Sequence, residues 1–321
     1  MDLTRDISGS DPLDRLQPGL IVICGPTASG KSSLALNIAQ RLGCPIIGAD
    51  SRQVYQELDI GTAKPSLEER RRVPHYLIDL CQPTQSFTLA DYQQRTQSIV
   101  AQQHRSEKTP LLVGGTGLYI RSIVRGLKIP RVAPQPSLRS QLTHLGQPQC
   151  YAMLQQVDPQ AARAIHPNDQ VRTLRSLEVF YATGMPMSSQ QGECPPSYPI
   201  LQIGIDSAAL QDRIAQRTQQ MLAAGLVAEV TGLCDRYGID LPLLKTLGYA
   251  EVVQHLRGEC TLAVAQQRIV DHTRQFAKRQ RTWFQSDKAI EWYDSERPDL
   301  VDAVWLRVAE FVNRCGSGPA A

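Results

Sequence analysis

Leu20-Ile21-Val22-Ile23-Cys24-Gly25-Pro26-Thr27-Ala28-Ser29-Gly30-Lys31-Ser32 decides the fold, because a short apolar run passes directly into the pattern G-x-x-x-x-G-K-[ST]. The run predicts a strand. From Ser32 to Leu42, the residues Leu34, Leu36, Ile38, Ala39 and Leu42 supply an apolar stripe and Gly43 a stop signal, which predicts a helix. A strand, a glycine-bearing loop and a helix in this order form a phosphate cradle. Gly25 and Gly30 let the loop of Thr27, Ala28 and Ser29 bend so that its N–H groups point inward, and the helix adds the positive end of its dipole. Lys31 brings a mobile charge to the terminal phosphates, and the Ser32 hydroxyl is the expected holder of a Mg2+ ion. Such a loop recognises oxyanions and not what they are attached to, so the function must be read from other residues.

Working outward, apolar runs bounded by turn residues recur at Pro45–Ala49, His75–Leu80, Leu111–Val113 and Ile200–Ile205. The earlier runs alternate with helix-like segments, which predicts an α/β fold: a P-loop NTPase-like parallel sheet flanked by helices. Between about Lys128 and Pro199 the texture changes. Pro130, Pro134 and Pro136 open this stretch and Pro195, Pro196 and Pro199 close it, with two helical patterns between them. The expected organisation is a core of residues 1–127 and 200–321 with an inserted helical subdomain over 128–199. Further helices are expected from Leu210 to about Leu233 and from Ala263 to Phe284, and the tail Cys315–Ala321 is expected to fray.

The chain has 321 residues, about twice the length of one ordinary domain. Hydrophobic residues make up 42% and charged residues 20%, and no stretch approaches the roughly 18 apolar residues of a membrane helix. Disorder, fibres and membrane spans are excluded. A formal charge of +3 is too small to mark a nucleic-acid binder on its own, so any basic surface has to be local. The eight cysteines lie far apart without a Cys-x-x-Cys pair, which indicates neither a zinc site nor a disulfide framework. The polar segment Met1–Pro18 fits no secretory or transit signal, and a reducing cytoplasmic location and a monomer are expected.

In open parallel sheets ligands sit beyond the carboxyl ends of the strands. Asp50-Ser51-Arg52-Gln53 follows one strand and Gly114-Gly115-Thr116-Gly117-Leu118-Tyr119 another, so both are expected to face the phosphates. Asp50 is a candidate for holding magnesium through water or for accepting a proton from an incoming nucleophile, with a helix-capping aspartate as the competing reading. The paired glycines suit a tight turn that lets a substrate approach backbone. Arg213 and Arg217, four apart on one helix, are placed to clamp a departing anion or to form a solvated basic face. Arg268, Arg274, Lys278, Arg279 and Arg281 face the single acid Asp271 in their stretch. Arg274, Lys278 and Arg281 predict a basic stripe suited to a phosphate backbone, and Ile269, Phe276 and Trp283 predict a core-facing one.

These strings together, with Val54-Tyr55, Asp59-Ile60-Gly61-Thr62-Ala63-Lys64-Pro65, His166-Pro167-Asn168-Asp169 and Phe276-Ala277-Lys278-Arg279-Gln280, resemble the bacterial tRNA dimethylallyltransferases, in order from about Leu20 to Trp283. The resemblance implies transfer of a dimethylallyl group from dimethylallyl diphosphate to N6 of the adenosine 3′ of the anticodon, in tRNAs reading codons that begin with U. It implies that the phosphate loop holds the isoprenoid diphosphate, not ATP. It makes Asp50 the general base, puts Thr27 and Thr116 at the reacting centre, and gives Arg217 or Arg213 the diphosphate. It further brings Ser51, Arg52, Gln53, Asn168, Arg172, Gly248, Tyr249, Lys278, Arg279 and Arg281 towards the anticodon stem-loop of tRNA. Two departures stand out. Ala250 follows Gly248-Tyr249 where many relatives carry a basic residue or glutamine, and the insert is only mildly basic.

The chemistry agrees with this resemblance. An adenine amine is a weak nucleophile that must lose its proton as it attacks, and a carboxylate is ionised at neutral pH to take it. A small-molecule or nucleotide kinase is the rival reading, since it shares the sheet, the loop and an acceptor aspartate. A non-enzymatic nucleotide switch is a further rival, and it would make Asp50 dispensable.

Overall fold

A computed structural model of the chain describes residues 18–316. The N-terminal segment before residue 18 and the end of the tail, for which the sequence carried expectations, lie outside that range. The chain forms two compact units, one built from the residues up to Ile120 and those from Ser197 onward, the other from Arg121–Pro196.

The first unit is built on β1 (Leu20–Cys24), α1 (Lys31–Leu42), β2 (Ile46–Gly48), α2 (Leu67–Arg72), β3 (His75–Tyr76), α3 (Leu89–Arg105), β4 (Leu111–Gly114) and the start of α4 (Gly117–Val124). The second unit contains β5 (Leu127–Lys128), α5 (Pro136–Leu145), α6 (Gln147–Val157), α7 (Pro159–Ala164), α8 (Gln170–Thr183), α9 (Met187–Gln190) and β6 (Gly192–Glu193). The first unit resumes with β7 (Ile200–Asp206), α10 (Leu210–Ala223), α11 (Leu226–Tyr237), α12 (Tyr249–Leu256), α13 (Leu262–Gln285), β8 (Ile290–Asp294) and α14 (Leu300–Arg314).

The strands of the first unit make a six-stranded sheet in the order β3-β2-β4-β1-β7-β8, parallel throughout. Every residue of β1 and β4 is buried, as continuous apolar runs require when helices cover both faces of a sheet. On one face Leu34 and Ile38 of α1 and Val304 and Val308 of α14 pack on Ile21, Leu111 and Ile203. Elsewhere in the unit Leu226, Val230, Tyr249, Val252 and Ile269 join α11, α12 and α13 into a second core with Val54 and Leu58. The order β2-β4-β1 brings the loops after these three strands side by side.

Four elements depart from expectation. β3 stops at Tyr76 because Leu77 and Asp79 take positive φ values of 63° and 56°, which end the ladder. The helix expected through Leu233 breaks at Gly225, whose φ of 103° is left-handed. β8 is an edge strand with only Ile290 fully buried, so it carried no long apolar run to betray it. Phe276 and Trp283 do not pack into the core as expected. They are 39% and 40% exposed, while the buried stripe of α13 runs through Ala265, Ile269, Ala277, Gln280 and Phe284.

The second unit has its own small core of Leu142, Cys150, Leu154, Ala161, Ala162 and Leu177, and β5 and β6 pair antiparallel. At its centre Glu178 is buried. Desolvation alone would raise its carboxyl, but bonds from Arg139, the Gln135 N–H and Arg175 hold it down at about 2. Among the described residues no helix is long and apolar enough to cross a membrane.

Candidate active site

The phosphate loop leaves β1 through Gly25, where a side chain would meet the Ile205 carbonyl at 2.2 Å, so only glycine fits. It enters α1 through Gly30, whose φ of 88° is left-handed, and no side chain caps the helix. The first amides of α1 are therefore available to an anion. Ser29 Oγ is buried in the loop with no hydrogen-bond partner among the described residues, which suits an incoming oxyanion. Lys31 Nζ donates to the Pro26 carbonyl at 3.1 Å. Burial, and then the Arg217 guanidinium, lower the Lys31 ammonium to about 8, with Asp50 opposing the change. Burial likewise lowers Arg217, again against Asp50. Two cations and one carboxylate are thus within electrostatic reach of one another at the loop. Arg213 lies beside Gly30, its Nη1 3.5 Å from where a Cβ would stand, and donates to Ser295 Oγ at 2.9 Å.

Asp50 Oδ1 accepts the N–H groups of Arg52 at 2.8 Å and Gln53 at 3.3 Å. No helix starts here for Asp50 to cap; this oxygen instead braces the turn over residues 51–54. Oδ2 makes no hydrogen bond among the described residues, so a proton acceptor remains on the same side chain. Thr116 Oγ1 accepts the Ser51 N–H at 3.1 Å, tying the turn after β4 to the turn after β2. Tyr92 and Tyr119 stack at 3.7 Å within electrostatic reach of Asp50, and burial raises both hydroxyls.

Gln280 is the functional residue that reading the sequence for charge missed. Its Oε1 accepts the Thr27 N–H at 2.9 Å and its Nε2 donates to the Gly115 carbonyl at 2.8 Å, so one amide clamps the phosphate loop to the glycine turn. A side chain at Gly115 would displace this amide, since a Cβ there would stand 2.5 Å from Gln280 Nε2. Its partners lie far away in sequence, and the one available signal was its place in the recognised Lys278-Arg279-Gln280 string. Gln280→Ala is expected to cost about 1–3 kcal/mol, because it strands the buried Gly115 carbonyl and the partly buried Thr27 N–H. Urea unfolding measures that loss, and calorimetric diphosphate binding should weaken with it.

The model of the IPP transferase family matches residues 53–287. The chain belongs to that family. An IPP transferase relative from Nostoc punctiforme, named tRNA dimethylallyltransferase, is 64% identical over 297 residues, covering 92% of this chain and 97% of that protein. A Synechocystis protein of the same name is 61% identical, covering 92% and 97%. The crystal structure of a Bacillus halodurans tRNA isopentenylpyrophosphate transferase superposes with a TM-score of 0.70 at 33% identity, covering 94% of this chain and 98% of that one. A eukaryotic dimethylallyltransferase, solved acting on tRNA, gives a TM-score of 0.80 at 26% identity, covering 94% and 80%.

Within this IPP transferase chain the residues expected to face tRNA are not all placed alike. Arg52, Lys278 and Arg279 are exposed and Ser51 is half-buried. Gln53 Nε2 instead donates to the carbonyls of Thr62 and Ala63, bracing the neighbouring loop. Arg281 makes a bidentate pair with Asp206 at 2.7 and 2.7 Å, which anchors α13 to the end of β7 and removes it from a free basic stripe. Tyr249 is placed differently from the exposed residues. It is 0% exposed, its ring fills the space beside Gly61, and its hydroxyl donates to Glu229 at 2.6 Å. Gly248 is buried with it, its N–H bound to Glu251 at 2.7 Å. In the second unit Asn168 and Arg172 are exposed at the start of α8, where Asp169 caps the helix.

Proposed function

We propose that the chain transfers the dimethylallyl group of dimethylallyl diphosphate to N6 of the adenosine 3′-adjacent to the anticodon in tRNAs reading U-starting codons. The observation that carries this reading is the meeting of Asp50, Lys31 and Arg217 at a phosphate loop in an IPP transferase chain. In the proposed reaction the N6–C1 bond forms as the C1–O bond to diphosphate breaks. Asp50 Oδ2 takes the N6 proton, and Thr116 and Ser51 hold the turn that aims it. Positive charge develops on the allylic carbon and negative charge on the leaving diphosphate. Lys31, Arg217, the α1 amides and Ser29 Oγ receive the latter, with Arg213 beside Gly30. No covalent intermediate with the protein is required.

Magnesium suits this donor set only in company with the diphosphate. Among the described residues no cluster of three or more His, Cys, Asp or Glu side chains could hold a metal by itself. Magnesium commonly uses one or two protein oxygens together with substrate phosphates and water. The exposed Ser32 hydroxyl would hold it, and it would neutralise charge on the leaving group. The adenosine must leave the anticodon-loop stack to reach Asp50. In our reading the second unit, with Asn168 and Arg172, grips the stem-loop, and the protein works in the cytoplasm as a monomer.

Incubating tRNA with the protein, magnesium and dimethylallyl diphosphate, then weighing the anticodon-loop nucleosides, tests the reaction. One five-carbon unit on adenosine is the expected result. An unmodified loop together with phosphoryl transfer from labelled ATP would make the protein a kinase. For the RNA surface, Lys278→Ala and Arg279→Ala are each expected to flatten the log–log salt dependence of stem-loop binding by about 0.7–0.9, one phosphate contact apiece. Filter binding over a salt series measures it, and an unchanged slope would remove these residues from the interface.

A further inference from the structure

Asp59, Ile60 and Gly61 turn three consecutive backbone amides onto one side chain. Their N–H groups donate to the Glu229 carboxylate of α11 at 3.1, 2.7 and 3.2 Å, and the Tyr249 hydroxyl adds a fourth bond at 2.6 Å. Successive inward amides make a concavity that anions occupy. Here the anion belongs to the protein itself. At the other end of the same loop Lys64, its side chain only 1% exposed, donates to Asp59 at 2.5 Å, Asp79 at 2.6 Å and the Tyr55 carbonyl at 2.8 Å. Arg70 reaches Asp79 at 2.7 Å. The loop is thus pinned at both ends by charge-assisted bonds, far more firmly than a solvent-facing turn needs.

The loop forms one wall of a cavity of about 880 Å³. Asp59, Ile60 and Lys64 line one side and Arg217, Gln220 and Met221 of α10 the other. Arg217 is also the guanidinium that feels Asp50 and lowers Lys31. The position of the loop therefore sets the width of the space in front of Arg217. We propose that Glu229 is a positioning residue for the prenyl diphosphate: by holding the amides of Asp59 to Gly61, it keeps this cavity at the width that lets the diphosphate engage Arg217. The inference rests on the proposed transferase reaction. Glu229 touches no substrate and acts through the loop.

Two variants displace the loop from opposite directions. Glu229→Gln keeps the side-chain size but sets an NH2 against N–H donors. Gly61→Ala leaves the carboxylate intact and pushes from the other side, since a Cβ there would stand 2.4 Å from the Tyr249 ring. The parent protein is first shown to transfer the dimethylallyl group, and its failure would overturn the reaction and not this inference alone. Steady-state kinetics are then run on an anticodon stem-loop, with thermal unfolding and stem-loop binding in parallel. KM for dimethylallyl diphosphate is independent of how much of a variant is folded, whereas apparent kcat is not. Each variant is expected to raise that KM by on the order of tenfold while the stem-loop Kd stays within about twofold. An unchanged KM, or an equal loss in KM and stem-loop Kd, overturns the positioning role.

Discussion

Asp50→Asn should lower single-turnover transfer by on the order of 10² or more, the scale of a lost general base, while tRNA binding stays within about a few-fold of the parent. The substitution is a clean probe because the two functions of the side chain sit on different oxygens. An asparagine carbonyl still accepts the Arg52 and Gln53 N–H groups that Oδ1 now holds, so the turn after β2 survives. What disappears is a basic oxygen for the N6 proton. A second effect follows from electrostatics. Asp50 is the larger of the two influences that raise Lys31 against burial and Arg217, so its neutralisation moves the lysine titration to lower pH. Rapid-quench transfer assays read the first effect and their pH profile the second. Turnover within about threefold of the parent would remove Asp50 from the chemistry.

Lys31→Ala is expected to lower turnover by on the order of 10² to 10³, because it removes a charge aimed at the departing anion. The pH dependence gives an independent check, and its sign is fixed by the direction of the shift. A lysine lowered to about 8 is charged below that pH and neutral above it. Capture of the prenyl diphosphate by the free protein, read as kcat/KM, should therefore fall above about pH 8, approaching tenfold per pH unit. Once the anionic ester is bound it favours the protonated lysine, so kcat should hold to higher pH before declining. The Lys31→Ala protein should lose the lower of these descents. If it keeps that descent, another group owns it.

The phosphate cradle, the central strands and the approach of Asp50 to it were legible because each is written in contiguous residues. Leu20–Ser32 carries strand, loop and helix start in one run, and strand order brings Asp50 and Thr116 to it. What escaped depends on partners distant in the chain. Gln280 is an ordinary polar residue of a long helix until its amide is seen between Thr27 and Gly115. Arg281 reads as a free cation because Asp206, which neutralises it, stands on another element. Tyr249 follows a glycine in a loop-like stretch, which suggests exposure, yet its ring is the packing partner that Gly61 makes room for. The edge strand β8 escaped for a simpler reason: Glu291, Trp292 and Tyr293 remain partly open to solvent, so no apolar run marks it.

Lys31 and Arg217 are two under-hydrated cations crowded into one recess, answered within it by Asp50. Such a recess favours polyanions as a class, and near neutral pH inorganic diphosphate and its prenyl ester carry nearly the same charge. The by-product is therefore expected to compete with the donor for the recess, read as a rise in KM for dimethylallyl diphosphate when inorganic diphosphate is added.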